Sequence, residues 1–292
     1  MCDETTEREN DLHLGLESPV SRRRFGHIAG AGGLSLLLPE AAGAAVPVTE
    51  ADVTIKTADG TADAYFVHPA KGRSPGVLIW PDIRGLRPAF RQMGKRLAEA
   101  GYAVLVINPF YRSMQAPVVQ PGEDYADPKI RERIAPMAKL LSARTVETDA
   151  AAFVAFLDKQ KAVDPRRKLA TTGYCMGGPM TMRTAASHPK RIGAAASFHG
   201  GGLATREPDS PHLLVPQMKA SYLFAIAEND DQRDPQAKEL LRQAFDAAKL
   251  PAEIEVYAGA MHGWCTIDSR VYNEAQAERA WGKMLALFKT AL

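Results

Sequence analysis

The stretch KLATTGYCMGGPMT, residues 168–181, places a cysteine between two glycines, directly after an apolar run typical of a buried strand. Gly173, Cys175 and Gly177 fit the pattern G-x-S-x-G, with cysteine at the position of the serine. In that pattern a sharp strand-to-helix turn raises the nucleophile above a sheet, and the next amide helps to bind an oxyanion. The start of the following helix favours a thiolate. We therefore interpret Cys175 as a nucleophile; the alternative is a buried structural cysteine packed among glycines.

A thiol nucleophile needs a base, and the chain has seven histidines. Two lie near the N-terminus and three stand beside prolines on apparent connections, which leaves His199 and His262. His262 lies in YAGAMHGWC, after a predicted strand and before the last predicted helix, where the histidine of a nucleophile–acid–histidine series falls. The acid is expected after the preceding strand. In AENDD, Asp230 is our first choice and Asp231 the second, although an acid at a helix start is also a common cap.

Predicted strands and helices alternate along residues 46–292 with short connections, apart from a long loop expected at 109–129. This order predicts one α/β domain, with a mostly parallel central sheet and helices on both faces, that begins with an antiparallel hairpin over 51–70. Each candidate residue follows a predicted strand, at the sheet edge where functional loops lie. The predicted strands are 76–80, 102–108, 168–174, 192–198, 220–227 and 252–258, and the predicted helices 89–101, 143–160, 177–188, 235–249 and 269–292.

Residues 1–45 have the layout of an export signal. A basic cluster at 22–24 precedes a mildly apolar run over 25–38, and small residues then offer cleavage after Ala44 or Ala45. The arginines resemble the twin-arginine signal of bacteria. We therefore expect recognition by the twin-arginine export machinery and a periplasmic or secreted protein; the alternative is a disordered basic tail. The run is shorter than the ~20 apolar residues that span a bilayer, so stable membrane insertion is not expected.

The composition argues against several other classes of protein. With 46% hydrophobic and 24% charged residues and a net charge of +2, the chain is ordinary for a globular protein and carries no long basic run, so nucleic acid is not an expected partner. Three cysteines are too few for a disulfide framework and lack metal-ligand spacing. No metal or cofactor is expected.

Four segments, GYCMGG, AENDD, AMHGW and LAEAGYAVLVINPFYR, resemble the dienelactone hydrolase (carboxymethylenebutenolidase) family of the α/β-hydrolase fold, over about residues 50–292. The resemblance implies hydrolysis of a lactone or carboxylic ester without a cofactor. It implies a triad of Cys175, His262 and Asp230 and a covalent thioester. It also implies an oxyanion hole formed by the backbone amides of Ile83 and Met176.

The sequence departs from the family pattern around the expected substrate. Asp82 stands where the family usually has a glutamate that touches the resting thiol. Arg112 matches an arginine that would clamp a substrate carboxylate, although it could be a solvated loop charge. A second family arginine is Thr266 here, and Arg84 is a candidate to replace its charge. His199 ends a predicted strand, where a pocket role and a plain polar role are equally open.

These departures favour neutral or larger esters and lactones over a small anionic dienelactone. The alternative function is a catalytically weak binding or redox-sensing protein that keeps the fold, since fold does not fix function.

Overall fold

An eight-stranded sheet runs through the protein, whose computed structural model describes residues 4–16, 46–120 and 122–292. The strands are β1 Val48–Thr57, β2 Gly60–Pro69, β3 Gly76–Trp80, β4 Ala103–Ile107, β5 Leu169–Tyr174, β6 Ile192–Phe198, β7 Ser221–Ala227 and β8 Ala252–Tyr257. The helices are α1 Glu4–His13, α2 Pro88–Glu99, α3 Pro128–Lys139, α4 Ala143–Lys159, α5 Gly177–Ser187, α6 Glu228–Arg233, α7 Pro235–Ala248 and α8 Glu274–Ala291, with a 3₁₀ turn over Pro211–Gln217.

The strand order is β1-β2-β4-β3-β5-β6-β7-β8. The hairpin β1–β2 is antiparallel and joins β4 in antiparallel fashion, whereas the strands from β4 to β8 pair in parallel. Strands β3 and β4, GVLIW and AVLVI, are buried at every position, as expected for strands covered on both faces. The mostly parallel sheet predicted from the sequence is confirmed.

Apolar side chains cover both faces of the sheet. On one face α4, α5 and α7 supply buried residues such as Phe153, Met180 and Phe245. On the other face α2 and α8 supply Phe90 and Phe288. The predicted placement of helices on both faces is therefore confirmed, and the connections that follow the parallel strands meet at one edge of the sheet.

Several elements differ from the sequence prediction. Helix α3 begins at Pro128, inside the predicted loop, with the side chain of Asp127 accepting a hydrogen bond from Lys129 N. Helix α8 begins at Glu274 rather than 269, because the Asn273 side chain caps it by accepting from Gln276 N.

Helix α1 lies within the predicted leader, whereas the basic cluster at 22–24 and both cleavage positions lie outside the described residues. Within the described ranges, no helix is long and apolar enough to cross a membrane.

Candidate active site

Cys175 stands on a sharp turn between β5 and α5 that only glycines at its two flanks permit. Its φ is +53°, in the left-handed region that most residues avoid. A Cβ on Gly177 would lie 2.2 Å from Trp80 O, and a Cβ on Gly173 would lie 2.0 Å from Gly177 O. The backbone therefore passes too close to itself and to β3 for any side chain at either flank. The Cys175 amide donates to Phe198 O at 3.0 Å, which ties the turn to β6.

His262 follows β8, and its imidazole is held by an acid that follows β7. Its Nδ1 lies 2.6 Å from Asp230 Oδ2, and its amide donates to Asn229 Oδ1 at 2.8 Å. Asp231, the second choice from the sequence, instead accepts from Lys238 Nζ at 2.7 Å. The structure thus brings Asp230 and His262 together, and Asn229, which sequence reasoning missed, fixes the backbone of the loop.

The surroundings of His262 favour its charged form. Burial of the imidazole opposes protonation, but the negative charges of Asp230 and of the Cys175 thiolate outweigh burial and raise the pKa of His262 to about 10. In the described part of the chain, His262 Nε2 has no nitrogen or oxygen partner. That nitrogen is available to the thiol and to a reacting group beside it.

His199 is the second histidine at this site. It ends β6 with a φ of +39°, is buried, and its ring centroid lies 4.9 Å from that of His262. Burial and the positive charge of His262 lower the pKa of His199, although the Cys175 thiolate beside it opposes the shift. A neutral imidazole therefore faces Cys175 and a protonated one, and the structure places His199 in the pocket.

Cys175 borders two cavities, and Ile83 also lines both of them. The smaller, about 60 Å³, is also lined by His262, His199 and Ile83. The larger, about 380 Å³, is lined by Ile83, Met176 and mostly apolar side chains. Across the described residues, no protein group accepts a hydrogen bond from the amide of Ile83 or of Met176. Both amides can therefore donate to a bound oxygen atom.

Asp82 lines the smaller cavity with Cys175, but its carboxylate is bound by an arginine that the sequence did not reveal. Arg87 donates to both of its oxygens, at 2.7 and 2.9 Å, and also to Asp268 at 2.6 Å. Burial opposes the charge of Arg87, but Asp82 and Asp268 raise its pKa above the ordinary value. Asp82 is therefore a partner of a buried ion-pair network, and Arg84 joins this network through Asp268 at 2.8 Å.

Arg112 is not brought to the site. Its guanidinium is paired with Asp59 at 2.6 Å and with the buried Asp149 at 2.7 Å, and it stacks over the ring of Tyr111. It lines neither cavity at Cys175. Arg112 is therefore not placed to clamp a substrate carboxylate, contrary to the expectation from the sequence, because two carboxylates of the protein already bind it. Thr266 does line the smaller cavity, and its hydroxyl donates to Gly263 O.

Cys265 is a free, buried thiol outside both cavities. Burial and the charge of Asp82 raise its pKa, so it is a poor nucleophile. It lines another cavity, with Tyr174 and Trp281. Within the described ranges, no group of three or more His, Cys, Asp or Glu side chains is placed to hold a metal ion.

Solved structures with the same architecture define the fold class. A structure from Klebsiella pneumoniae that is assigned by name to the dienelactone hydrolases superposes with a TM-score of 0.71 and 24% identity, covering 83% of this chain and 99% of that one. The dienelactone hydrolase of Anabaena variabilis superposes with a TM-score of 0.57 and 17% identity, over 84% of this chain and 99% of that one. The chain has the α/β-hydrolase fold.

Sequence comparison identifies the family within that fold. The model of the dienelactone hydrolase family matches residues 62–292, and the chain belongs to this family. The carboxymethylenebutenolidase of Rhodococcus opacus is 25% identical over 253 residues, covering 84% of this chain and 94% of the relative. A protein of Escherichia coli (strain K12) named after the same activity is 28% identical over 236 residues, covering 77% and 81%. The prediction of an enzyme of the lactone and ester hydrolase type is confirmed.

Proposed function

We propose that the protein hydrolyses a lactone or carboxylic ester through a thioester on Cys175. The observation that carries the proposal is the strained, glycine-flanked turn that holds Cys175 beside His262, whose Nδ1 lies 2.6 Å from Asp230. A nucleophile, a base and a group that orients the base are the parts that covalent acyl transfer requires. The name of the relative from Rhodococcus opacus, a carboxymethylenebutenolidase, supports the same reaction class.

In the first half of the reaction, the Cys175 thiolate attacks the carbonyl carbon and a C–S bond forms. The amides of Ile83 and Met176 stabilise the resulting oxyanion, with each donor worth roughly 3–4 kcal/mol in comparable sites. The C–O bond then breaks, and the His262 imidazolium gives its proton to the leaving oxygen. Asp230 holds the ring in place and stabilises its positive charge.

In the second half, water attacks the thioester while neutral His262 takes its proton. The C–S bond breaks, the carboxylic acid leaves, and the thiolate is restored beside a protonated His262. The thiolate–imidazolium pair with which the cycle begins agrees with the raised pKa of His262.

The substrate class we propose is a neutral lactone or ester with an apolar acyl group. While α1 is in place, the arginines that line the two cavities each have a carboxylate partner: Arg84 has Asp268, Arg183 has Asp209, and Arg270 has Glu7 and Asp11 of α1. In the full-length chain, a substrate carboxylate would have to displace one of these partners. The larger cavity, bordered by apolar side chains such as Val146 and Met180, suits an uncharged acyl group.

Comparing kcat/KM of the full-length chain for a dienelactone carboxylate and for its neutral methyl ester tests this class. We expect the neutral ester to be preferred by about 10-fold or more. The carboxylate of the anionic substrate would lack a charge-assisted hydrogen bond in the site, and such a loss costs roughly 1.5–3 kcal/mol. A strong preference for the anion that disappears in Arg112→Ala would show that this arginine serves the substrate and that the proposal is wrong.

We also propose that residues 1–45 are a twin-arginine leader and that residues 46–292 form the exported hydrolase domain. The basis is the order of basic, apolar and small residues in the sequence.

A further inference from the structure

Helix α1 lies against the catalytic residues although it is far from them in sequence. Its Glu7 and Asn10 line the smaller cavity, the one that also contains Cys175 and His262. Asn10 Nδ2 donates to His262 O at 3.3 Å. Thr6 and Asn10 are both buried, so one face of α1 is covered by the loops around the site.

Acidic residues of α1 attach it to helix α6, which carries Asp230, and to the connection after β8, which carries His262. Glu7 and Asp11, one turn apart on the helix, bind Arg270 at 2.6 and 2.8 Å. Glu9 accepts from Asn229 Nδ2 at 2.6 Å and also pairs with Arg233. Because the amide oxygen of Asn229 accepts from the His262 backbone, a single side chain connects α1 to the histidine loop.

The position of α1 relative to the reaction follows from the two cavities. His262 must deliver a proton to the leaving oxygen, so the leaving group lies on the side of the smaller cavity, which His262 lines. The acyl group then lies on the side of the larger cavity, which Met176 lines and which no residue of α1 borders. A bulky leaving group would meet Glu7 and Asn10.

We infer that α1 is a specificity-determining cover on the leaving-group side of the active site. This inference rests on the proposed function. With α1 docked, the enzyme accepts small leaving groups and varied acyl groups; with α1 displaced, it also accepts bulky leaving groups. The cleavage proposed after Ala44 or Ala45 removes α1, so export would widen the range of substrates.

The test uses the full-length chain and neutral esters, so that altered charges do not act on a charged substrate. Arg270→Glu repels Glu7 and Asp11 and should undock α1. Adding Glu7→Arg and Asp11→Arg restores opposite charges and should dock it again. Glu4→Arg, at an exposed position of the same helix, is the matched control. Glu9→Arg, which repels Arg233, gives a second undocked form should Arg270→Glu fold poorly.

The esters compared are 1-naphthyl acetate, methyl acetate and methyl butyrate. If α1 leaves the site open one tenth of the time, undocking raises kcat/KM for the naphthyl ester about 10-fold. The ratio of kcat/KM for methyl butyrate to that for methyl acetate should change less than about 2-fold, because both leaving groups are small and no residue of α1 borders the acyl side. Glu4→Arg should behave like wild type, and the charge-swapped protein should recover the wild-type ratio of naphthyl to methyl ester.

A second readout separates this inference from the proposed function. Labelling of Cys175 by a maleimide with a bulky dye, relative to N-ethylmaleimide, should rise in the undocked variants and fall again in the charge-swapped protein. Equal labelling and equal ester ratios in all variants would overturn the role of α1. Increased labelling without any Cys175-dependent ester hydrolysis would instead overturn the proposed function and leave α1 as a cover of the thiol.

Discussion

At the scale of single residues, the site combines two buried histidines in opposite protonation states around one thiol. His262 keeps a proton because Asp230 lies 2.6 Å from its ring, whereas His199 has no carboxylate partner among the described residues and burial lowers its pKa. A charged imidazole beside the thiolate can give a proton to a leaving group. A neutral imidazole on the other side adds no competing positive charge, which would otherwise lower the pKa of His262.

Replacing the acid should change both the rate and its pH dependence. We expect Asp230→Asn to lower kcat/KM by roughly 10²- to 10⁴-fold. The group that must stay protonated is His262, so activity falls as pH rises through its pKa, near pH 10 in the wild type. Because the Asp230 charge raises that pKa, its removal should move this alkaline limb to lower pH. Measured pH–rate profiles test the shift.

Asp231→Asn is the control, since Asp231 binds Lys238 and not His262. Its profile should match that of the wild type. An alkaline limb that stays in place in Asp230→Asn would contradict the role assigned to this acid.

The sequence indicated the residues that carry a local signature and missed those that depend on distant partners. Cys175 and His262 stand out through their short motifs, and Asp230 through its place after a strand. Arg112 was assigned to the site from its local sequence, but it pairs with Asp59 and Asp149, which come close to it only in the folded chain. Such pairings have no local pattern, because the two partners are far apart in sequence.

At the scale of elements, the turn at Cys175 depends on the close approach between α5 and β3. A methyl group on Gly177 would lie 2.2 Å from Trp80 O, so Gly177→Ala must move backbone. We expect a loss of roughly 1–3 kcal/mol of stability and most of the esterase activity, because the turn that raises Cys175 is displaced. Thermal unfolding and ester turnover measure both effects.

Gly282→Ala provides a matched control within a helix. Gly282 lies in α8, and a Cβ there would meet nothing within 4 Å. Alanine should stabilise this helix by up to about 1 kcal/mol and leave activity unchanged. Equal Tm values for the two alanine variants would show that the close approach at Gly177 does not matter.

Elements with strong periodicity were predictable, and elements fixed by their surroundings were not. The buried strands β3 and β4 are continuous apolar runs, which sequence alone identifies. Helix α3 contains Pro136, a residue unfavourable inside a helix, and no element was predicted between residues 129 and 143. Helix α1 is polar and is held by ion pairs with Arg233 and Arg270, so nothing in its own sequence indicates where it docks.

At the scale of the whole molecule, the parallel sheet gathers residues that are far apart in sequence. Cys175 follows β5, Asp230 follows β7 and His262 follows β8, and these strand ends lie at one edge. The alternation of strands and helices in the sequence was sufficient to predict that these three residues lie at the same edge of the sheet. It was not sufficient to predict the two cavities, whose walls combine helices and connections that are far apart in sequence.

Export is the prediction that concerns the entire chain. We expect the wild-type protein in the periplasm of a bacterial host, with a new N-terminus directly after Ala44 or Ala45. Replacing Arg22 and Arg23 by lysine should retain it in the cytoplasm, because the twin-arginine pathway reads the arginine pair. Cell fractionation and N-terminal sequencing measure both. A cytoplasmic wild-type protein with residues 1–45 intact would contradict the export signal.

The central claim is that Cys175 forms the thioester, and trapping that intermediate tests it most directly. The protein is mixed with a neutral acetyl ester, quenched in acid within the first turnovers, and its peptides are examined by mass spectrometry. We predict one acetyl group on the Cys175 peptide and none on the Cys265 peptide. Cys175→Ala should have neither the adduct nor turnover, whereas Cys265→Ala should keep most of both. Ester turnover that persists at the wild-type rate in Cys175→Ala would contradict the mechanism.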